Sequence, residues 1–230
     1  MRDRPSSPPD PVYRSSPGTG PGAGAGDARI LAPTFERNSP PIIARLTPWL
    51  DPLSGPVLEI GAGTGQHAAA MALAFPRLQW WPSEPDALQR ASIVAWQRHL
   101  RAPARAPLNI DAASAWSENR EVRALGPLCA VVSMNVIHIS PVDVAHGIVA
   151  GAAEALRTGG LLIFYGPFME NGEHTGAGNA QFDRQLRARN PAWGLRDLAD
   201  VTAWCARRGL AAADVISMPA NNRLALFRKD

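Results

Sequence analysis

The run Glu59-Ile60-Gly61-Ala62-Gly63-Thr64-Gly65 follows a short apolar segment and opens a helix-forming stretch, Gln66 to Ala74. Glycines at alternate positions release the backbone to positive φ and let a ligand lie against the main chain. A strand that turns through such a loop into a helix begins a parallel α/β sheet, with its ligand beyond the carboxyl ends of the strands. The spacing also excludes. A dinucleotide fingerprint reads G-x-G-x-x-G, which needs its third glycine at residue 66, and the chain has Gln66 there. A G-x-G-x-G loop need not cradle a pyrophosphate.

The next requirement is an acid about 20 positions later, able to accept from both hydroxyls of a ribose. Glu84 closes the predicted second strand, LQWWPSE, and meets it. Asp111 closes the third, APLNID, where a carboxylate can accept from an adenine amino group. An adenosine ligand without a pyrophosphate fits S-adenosylmethionine. The expected cofactor residues are Glu59, Gly61, Gly63, Gly65, Glu84, Asp111 and Asn135.

The remaining pattern alternates strand and helix. Ile42, Ile43, Leu46 and Leu50 recur at helical spacing, with Pro40 and Pro41 at the expected start. LCAVVSMNVIHI is a fourth strand with its exit loop, Val142 to Leu156 a helix, and LLIFYGPF a fifth strand. Residues 210–218 and 223–229 flank the turn-forming PANN, an antiparallel hairpin at the sheet edge. This predicts a Rossmann-like α/β fold with a mostly parallel seven-stranded sheet, a C-terminal antiparallel hairpin and helices on both faces.

Residues 1–29 are dominated by Pro, Gly, Ser and Ala and bury too little apolar surface to order themselves. They are expected to form a tail ahead of one domain spanning 30–230. The net charge of +3 is spread along the chain. Arg184, Arg187 and Arg189 share one side of a helix and read as a solvated face, so no nucleic-acid partner is expected. Cys129 and Cys205 are isolated, which excludes a disulfide framework and a zinc site. No stretch has the ~18 apolar residues of a membrane span. A cytoplasmic location is expected, and the oligomeric state is left open.

Several strings resemble one family across the domain: ERNSPPI (36–42), LEIGAGTGQHA (58–68), WPSEPD (81–86), SMNVIHISP (133–141), LIFYGPF (162–168), GEHTGAGNAQFDRQLRARNPAWGLRD (172–197) and MPANN (218–222). They resemble the methyltransferase-like group typified by methyltransferase-like protein twenty-six. Ala62 stands where that group often has Ser or Thr, and Glu84 where it often has Asp. The resemblance implies a class I methyltransferase fold and adenosylmethionine as cofactor, and names no substrate.

Methyl transfer from a sulfonium is an in-line displacement, so the protein positions the acceptor and removes its proton. The loops after the fourth and fifth strands should carry that work. His138, Tyr165, His174 and Asp183 are the expected catalytic candidates, with His138 as base because histidine titrates near neutrality. Asn179, Asn221 and Asn222 lie in the same loops. No metal spacing is present. Asn135-Val136-Ile137-His138 stands where base-amino methylation would show an [ND]-P-P-[YF] motif, so a small-molecule acceptor is favoured. A non-catalytic adenosylmethionine sensor and an NAD-dependent oxidoreductase are the competing readings.

Overall fold

The computed structural model describes residues 27–230. The expected tail, residues 1–29, lies outside the described residues except for its last three. Helix α1 (Phe35–Leu50) leads into β1 (Gly55–Ile60), α2 (Gln66–Ala74), β2 (Leu78–Ser83) and α3 (Ala87–Leu100). A short α4 (Arg120–Arg123) precedes β3 (Leu128–Met134), α5 (Val142–Ala155) and β4 (Leu156–Pro167). A two-residue hairpin pair, β5 (Met169–Glu170) and β6 (Glu173–His174), leads to α6 (Ala177–Arg189) and α7 (Leu198–Ala206). The chain closes with β7 (Leu210–Met218) and β8 (Asn222–Lys229).

Among the described residues the main sheet has six strands in the order β2-β1-β3-β4-β8-β7. The pairs β2–β1, β1–β3 and β3–β4 are parallel, and β4–β8 and β8–β7 antiparallel. This corrects the expected seven strands. APLNID contributes one parallel bridge, Leu108 beside Ser83. The Leu108 amide donates to the Pro82 carbonyl at 2.9 Å and its carbonyl accepts from Glu84 at 2.9 Å. Pro103 and Pro107 lack amide donors, and Asp111 turns the chain by accepting from Ala113, so the ladder cannot extend.

Helix α1 also differs from expectation. It begins at Phe35, which places Pro40 and Pro41 inside it. Each proline removes one intrahelical donor. The carbonyls left over belong to Glu36 and Arg37, both exposed, where water can satisfy them.

Two apolar layers sandwich the sheet. One packs Ile42, Leu46, Met71 and Ile93 from α1–α3 on Val57, Ala130, Val132 and Ile163. The other packs Ile148, Ala152, Val201 and Cys205 from α5 and α7 on Leu58, Val131, Leu162 and Phe227. β1, β3 and β4 from Leu161 onward are apolar almost without interruption because both faces are covered. Gly147 and Gly151 let α5 approach closely. A Cβ at Gly151 would lie 2.2 Å from the Trp116 ring. No helix among the described residues is long and apolar enough to cross a membrane.

Candidate functional site

The glycine loop leaves β1 at the carboxyl edge. All three glycines have positive φ: 69° at Gly61, 55° at Gly63 and 87° at Gly65. Their duties differ. A Cβ on Gly61 would lie 2.5 Å from Val136 Cγ2, and one on Gly65 2.5 Å from the Ile93 Cα. Those two glycines let the loop after β3 and helix α3 close onto the turn. A Cβ on Gly63 would meet only the tip of Gln89, at 3.3 Å. Gly63 therefore presents an open backbone face, the cradle a ligand would fill.

Glu84 lies beside it. Its carboxylate accepts from the Gly63 amide at 3.0 Å and from the Asp86 amide at 3.1 Å. Burial pushes its carboxyl up, against the pull of those two bonds. Glu59 faces inward instead. Its carboxylate is enclosed in the core and accepts from Trp80 Nε1 at 2.6 Å. Burial raises its pKa to about 7, the Trp80 bond opposes this, and the Glu84 charge adds to it. Asp111 is exposed and uses one oxygen to accept from Ala113 at 2.9 Å. Gln66, the residue that broke the dinucleotide spacing, is buried and accepts from the Ala32 amide. It ties the segment ahead of α1 to the loop. Ser92 Oγ ties the same segment by accepting from Ile30 and donating to the Thr64 carbonyl.

The second half of the edge is made of side chains. Asn135 takes φ 61°, and its amide donates to the Tyr165 carbonyl at 2.7 Å. A Cβ on Gly166 would lie 2.5 Å from His138 Nε2 and 3.0 Å from Asn135 Oδ1, so both side chains converge there. His138 is buried edge-on to Phe168 at 5.1 Å, and neither ring nitrogen has a partner among the described residues. Burial, helped by the Arg196 charge, lowers its pKa to about 3, and Asp183 opposes this. A pKa that low keeps the imidazole in its proton-accepting form but makes it a weak base for the role expected of it.

His174 Nε2 lies 3.2 Å from Asp183 Oδ2. Asp183 also accepts from Arg187 Nε at 3.0 Å and from the Leu195 amide at 2.7 Å. Burial pushes the Asp183 carboxyl up, but the Arg187, Leu195 and His174 bonds outweigh it and hold it below the usual range. Tyr165 OH accepts from Asn222 Nδ2 at 3.1 Å. Asn179 Nδ2 reaches Thr175 Oγ1 at 2.8 Å and the Asn221 carbonyl at 3.1 Å. His138, His174 and Asp183 thus gather on one flank, and Tyr165 joins the C-terminal turn on the other.

Three residues were missed by sequence reasoning. Arg196 donates to the carbonyls of Ile137 and Ser140 at 3.0 and 2.6 Å and pins the loop after β3. Gly166 makes room for His138. Arg37 lies close enough to the Tyr165 hydroxyl to lower its pKa against the rise from burial. Only ERNSPPI, YGPF and the 172–197 string, read as more than connectors, pointed toward them. Among the described residues no group of three or more His, Cys, Asp or Glu is placed to hold a metal.

The family model described as "Protein of unknown function (DUF938)" matches residues 29–229. The chain belongs to the DUF938 family. Solved structures show what that fold is. An O-methyltransferase family protein from Burkholderia thailandensis superposes with a TM-score of 0.72 at 17% identity, over 85% of this chain and 57% of that one. Magnesium protoporphyrin IX methyltransferase from Synechocystis PCC 6803, solved with bound SAH, gives 0.59 at 14% identity, over 82% of this chain and 80% of that one. An O-methyltransferase family 2 protein from Planctomyces limnophilus, in complex with apigenin, gives 0.61 at 21% identity, over 76% and 51%. The chain spans little more than half the length of the Burkholderia and Planctomyces proteins. This DUF938 member therefore has the α/β fold of adenosylmethionine-dependent methyltransferases.

Proposed function

We propose that this protein transfers a methyl group from S-adenosylmethionine to a small-molecule acceptor. The observation that carries the reading is the open backbone face of Gly63 with the Glu84 carboxylate beside it, at the carboxyl edge of a parallel sheet. Gly63 admits a ligand against the main chain, and Glu84 has the acceptor atoms a ribose diol needs. Asp111, three residues past the Leu108 bridge beside β2, and Asn135, just past β3, stand on either side, for the adenine and the amino-acid part. Glu59 supports from below through Trp80. The likeness to the group of methyltransferase-like protein twenty-six points the same way.

Bound there, the cofactor supplies an electrophilic methyl group on a sulfonium. The chain must hold the acceptor in line and take its proton. The acceptor site in this reading lies between the loop after β3 and residues 166–183. His174 is the better base: Asp183 fixes its Nε2, which leaves Nδ1 to take the acceptor's proton. Buried neutral His138 offers a hydrogen bond where a full positive charge would be costly. Tyr165, held by Asn222, lines the opposite wall. Several neighbours are O-methyltransferases by name, so an acceptor hydroxyl is the first to try. Cys129 and Cys205 are both free and buried, which suits a reducing cytoplasm.

Thermal unfolding tests the reading. Adenosylmethionine at 100 times its Kd should stabilise the fold by about 2.7 kcal/mol, and NAD at equal concentration by far less. A larger shift with NAD would replace this function with an oxidoreductase. Labelled cofactor with a metabolite extract would then identify the acceptor, and its product would fix the acceptor atom.

A further inference from the structure

The glycine loop contributes backbone and the strand ends contribute carboxylates, so this edge has no built-in cation of its own. Adenosylmethionine carries a carboxylate at its amino-acid end. With Glu84 at the β2 side, the strand order β2-β1-β3-β4 directs that end toward β3 and β4. A cation for it must come from whatever roofs the edge there.

The first turn of α1 is that roof. Ala32 is tied to Gln66, and the Phe35 ring packs edge-on against His67 of α2 with centroids 5.0 Å apart. Asn38 and Ser39 are buried beneath the turn. Arg37 lies between these anchors. Its Nε donates to Asn38 Oδ1 at 3.1 Å, and its charge reaches the Tyr165 hydroxyl at the end of β4. Among the described residues no carboxylate pairs with Arg37.

The other arginines near this edge are committed elsewhere. Arg90 donates to the carbonyls of Glu84 and Pro85. Arg196 holds the carbonyls of Ile137 and Ser140. Arg187 is bound to Asp183 and Arg223 to Glu170. Arg37 keeps its terminal nitrogens available, and a guanidinium fork matches a carboxylate in geometry and charge.

We propose that Arg37 binds the amino-acid carboxylate of the cofactor. The proposal rests on the adenosylmethionine reading and names a binding residue that the glycine-loop pattern does not contain. Its consequence is a division of the ligand. The adenosine half is held by Glu84 and the loop, and the amino-acid half by a segment ahead of the sheet.

Calorimetry with two ligands separates the halves. Adenosylhomocysteine carries the carboxylate, and 5′-methylthioadenosine lacks the amino-acid portion. Arg37→Gln should weaken adenosylhomocysteine about 10-fold, as expected for losing a hydrogen bond to a charged group. It should leave methylthioadenosine within about twofold, and Arg37→Lys should recover part of the loss. Equal weakening of both ligands would overturn the proposal, because Arg37 would then act through the fold. No change in either would overturn it too and assign Arg37 to an anionic acceptor or to solvent. A wild-type protein that binds neither ligand would reject the cofactor reading itself, before any variant is compared.

Discussion

The two halves of the carboxyl edge are built on different principles. The glycine-loop half, from Gly61 to Glu84, is a backbone device. Positive φ at three glycines shapes it, and one carboxylate ties it to the next strand. The half from Asn135 through Asp183 to Asn222 is a side-chain device. Its groups come from four separate segments and meet only after the chain has folded. A backbone device tolerates few residues at each position. A side-chain device can keep its geometry while its members change, so it is where specificity for an acceptor can vary.

The largest expected effect breaks the first half. Gly65→Val must place a branched side chain at φ 87° with its Cβ against the Ile93 backbone. The left-handed conformation alone costs about 1–2 kcal/mol, and overpacking adds about 1–3 kcal/mol. Urea unfolding should show a loss of roughly 2–5 kcal/mol from those two costs together. Gly63→Ala is the control. It should cost about 1–2 kcal/mol of stability for the left-handed backbone alone and still remove cofactor binding. If Gly65→Val were as stable as wild type, the claim that packing dictates this glycine would fail.

The second half is tested through turnover once an acceptor is known. His174→Gln should lower kcat about 10²–10³-fold with adenosylhomocysteine affinity unchanged, the range for losing a positioned base. His138→Leu removes an imidazole whose two nitrogens are unpaired, and should cost less than about 10-fold if it only offers a hydrogen bond. The reverse ranking would restore His138 as base. It would require a ligand or water to rescue the buried imidazolium.

The same division explains what the sequence revealed. The parallel core was legible because β1, β3 and β4 are apolar runs between glycine and proline breaks. The loop and Glu84 were legible because their roles depend on spacing along the chain. The seventh strand was overcounted: APLNID has the composition of a strand, but Pro107 within it and Pro103 ahead of it deny it a ladder. The start of α1 was misplaced because proline is expected at a helix N-terminus, whereas here Pro40 and Pro41 lie inside the helix. His138 was read by its usual titration, and only the fold reveals that burial holds it neutral. Arg37 and Arg196 act over long sequence separations, which no local pattern encodes.

Glu59 gives the smallest effect and tests whether the acid before the loop belongs to the ligand or to the core. Its carboxyl has a pKa of about 7 in the fold against 4.5 for an unperturbed group, with burial as the largest cause. Between those values the folded state keeps a proton that the unfolded chain has lost, so stability falls as pH rises through the window. Glu84 is shifted in the same direction and adds to the slope. His138 works at the other end. Its pKa is lowered from 6.5 to about 3, so its contribution is lost as pH falls through that range. Glu59→Gln keeps an acceptor for Trp80 and carries no charge. At pH 8 it should be more stable than wild type by about 1–3 kcal/mol, on the scale of 1.4 kcal/mol per pKa unit. At pH 5 the two should unfold at nearly the same temperature. Adenosylhomocysteine affinity should change less than about threefold, since an amide still holds the indole. A variant less stable than wild type at pH 8, or one that loses the ligand, would move Glu59 from the core to the cofactor site and join the two layers that the structure keeps apart.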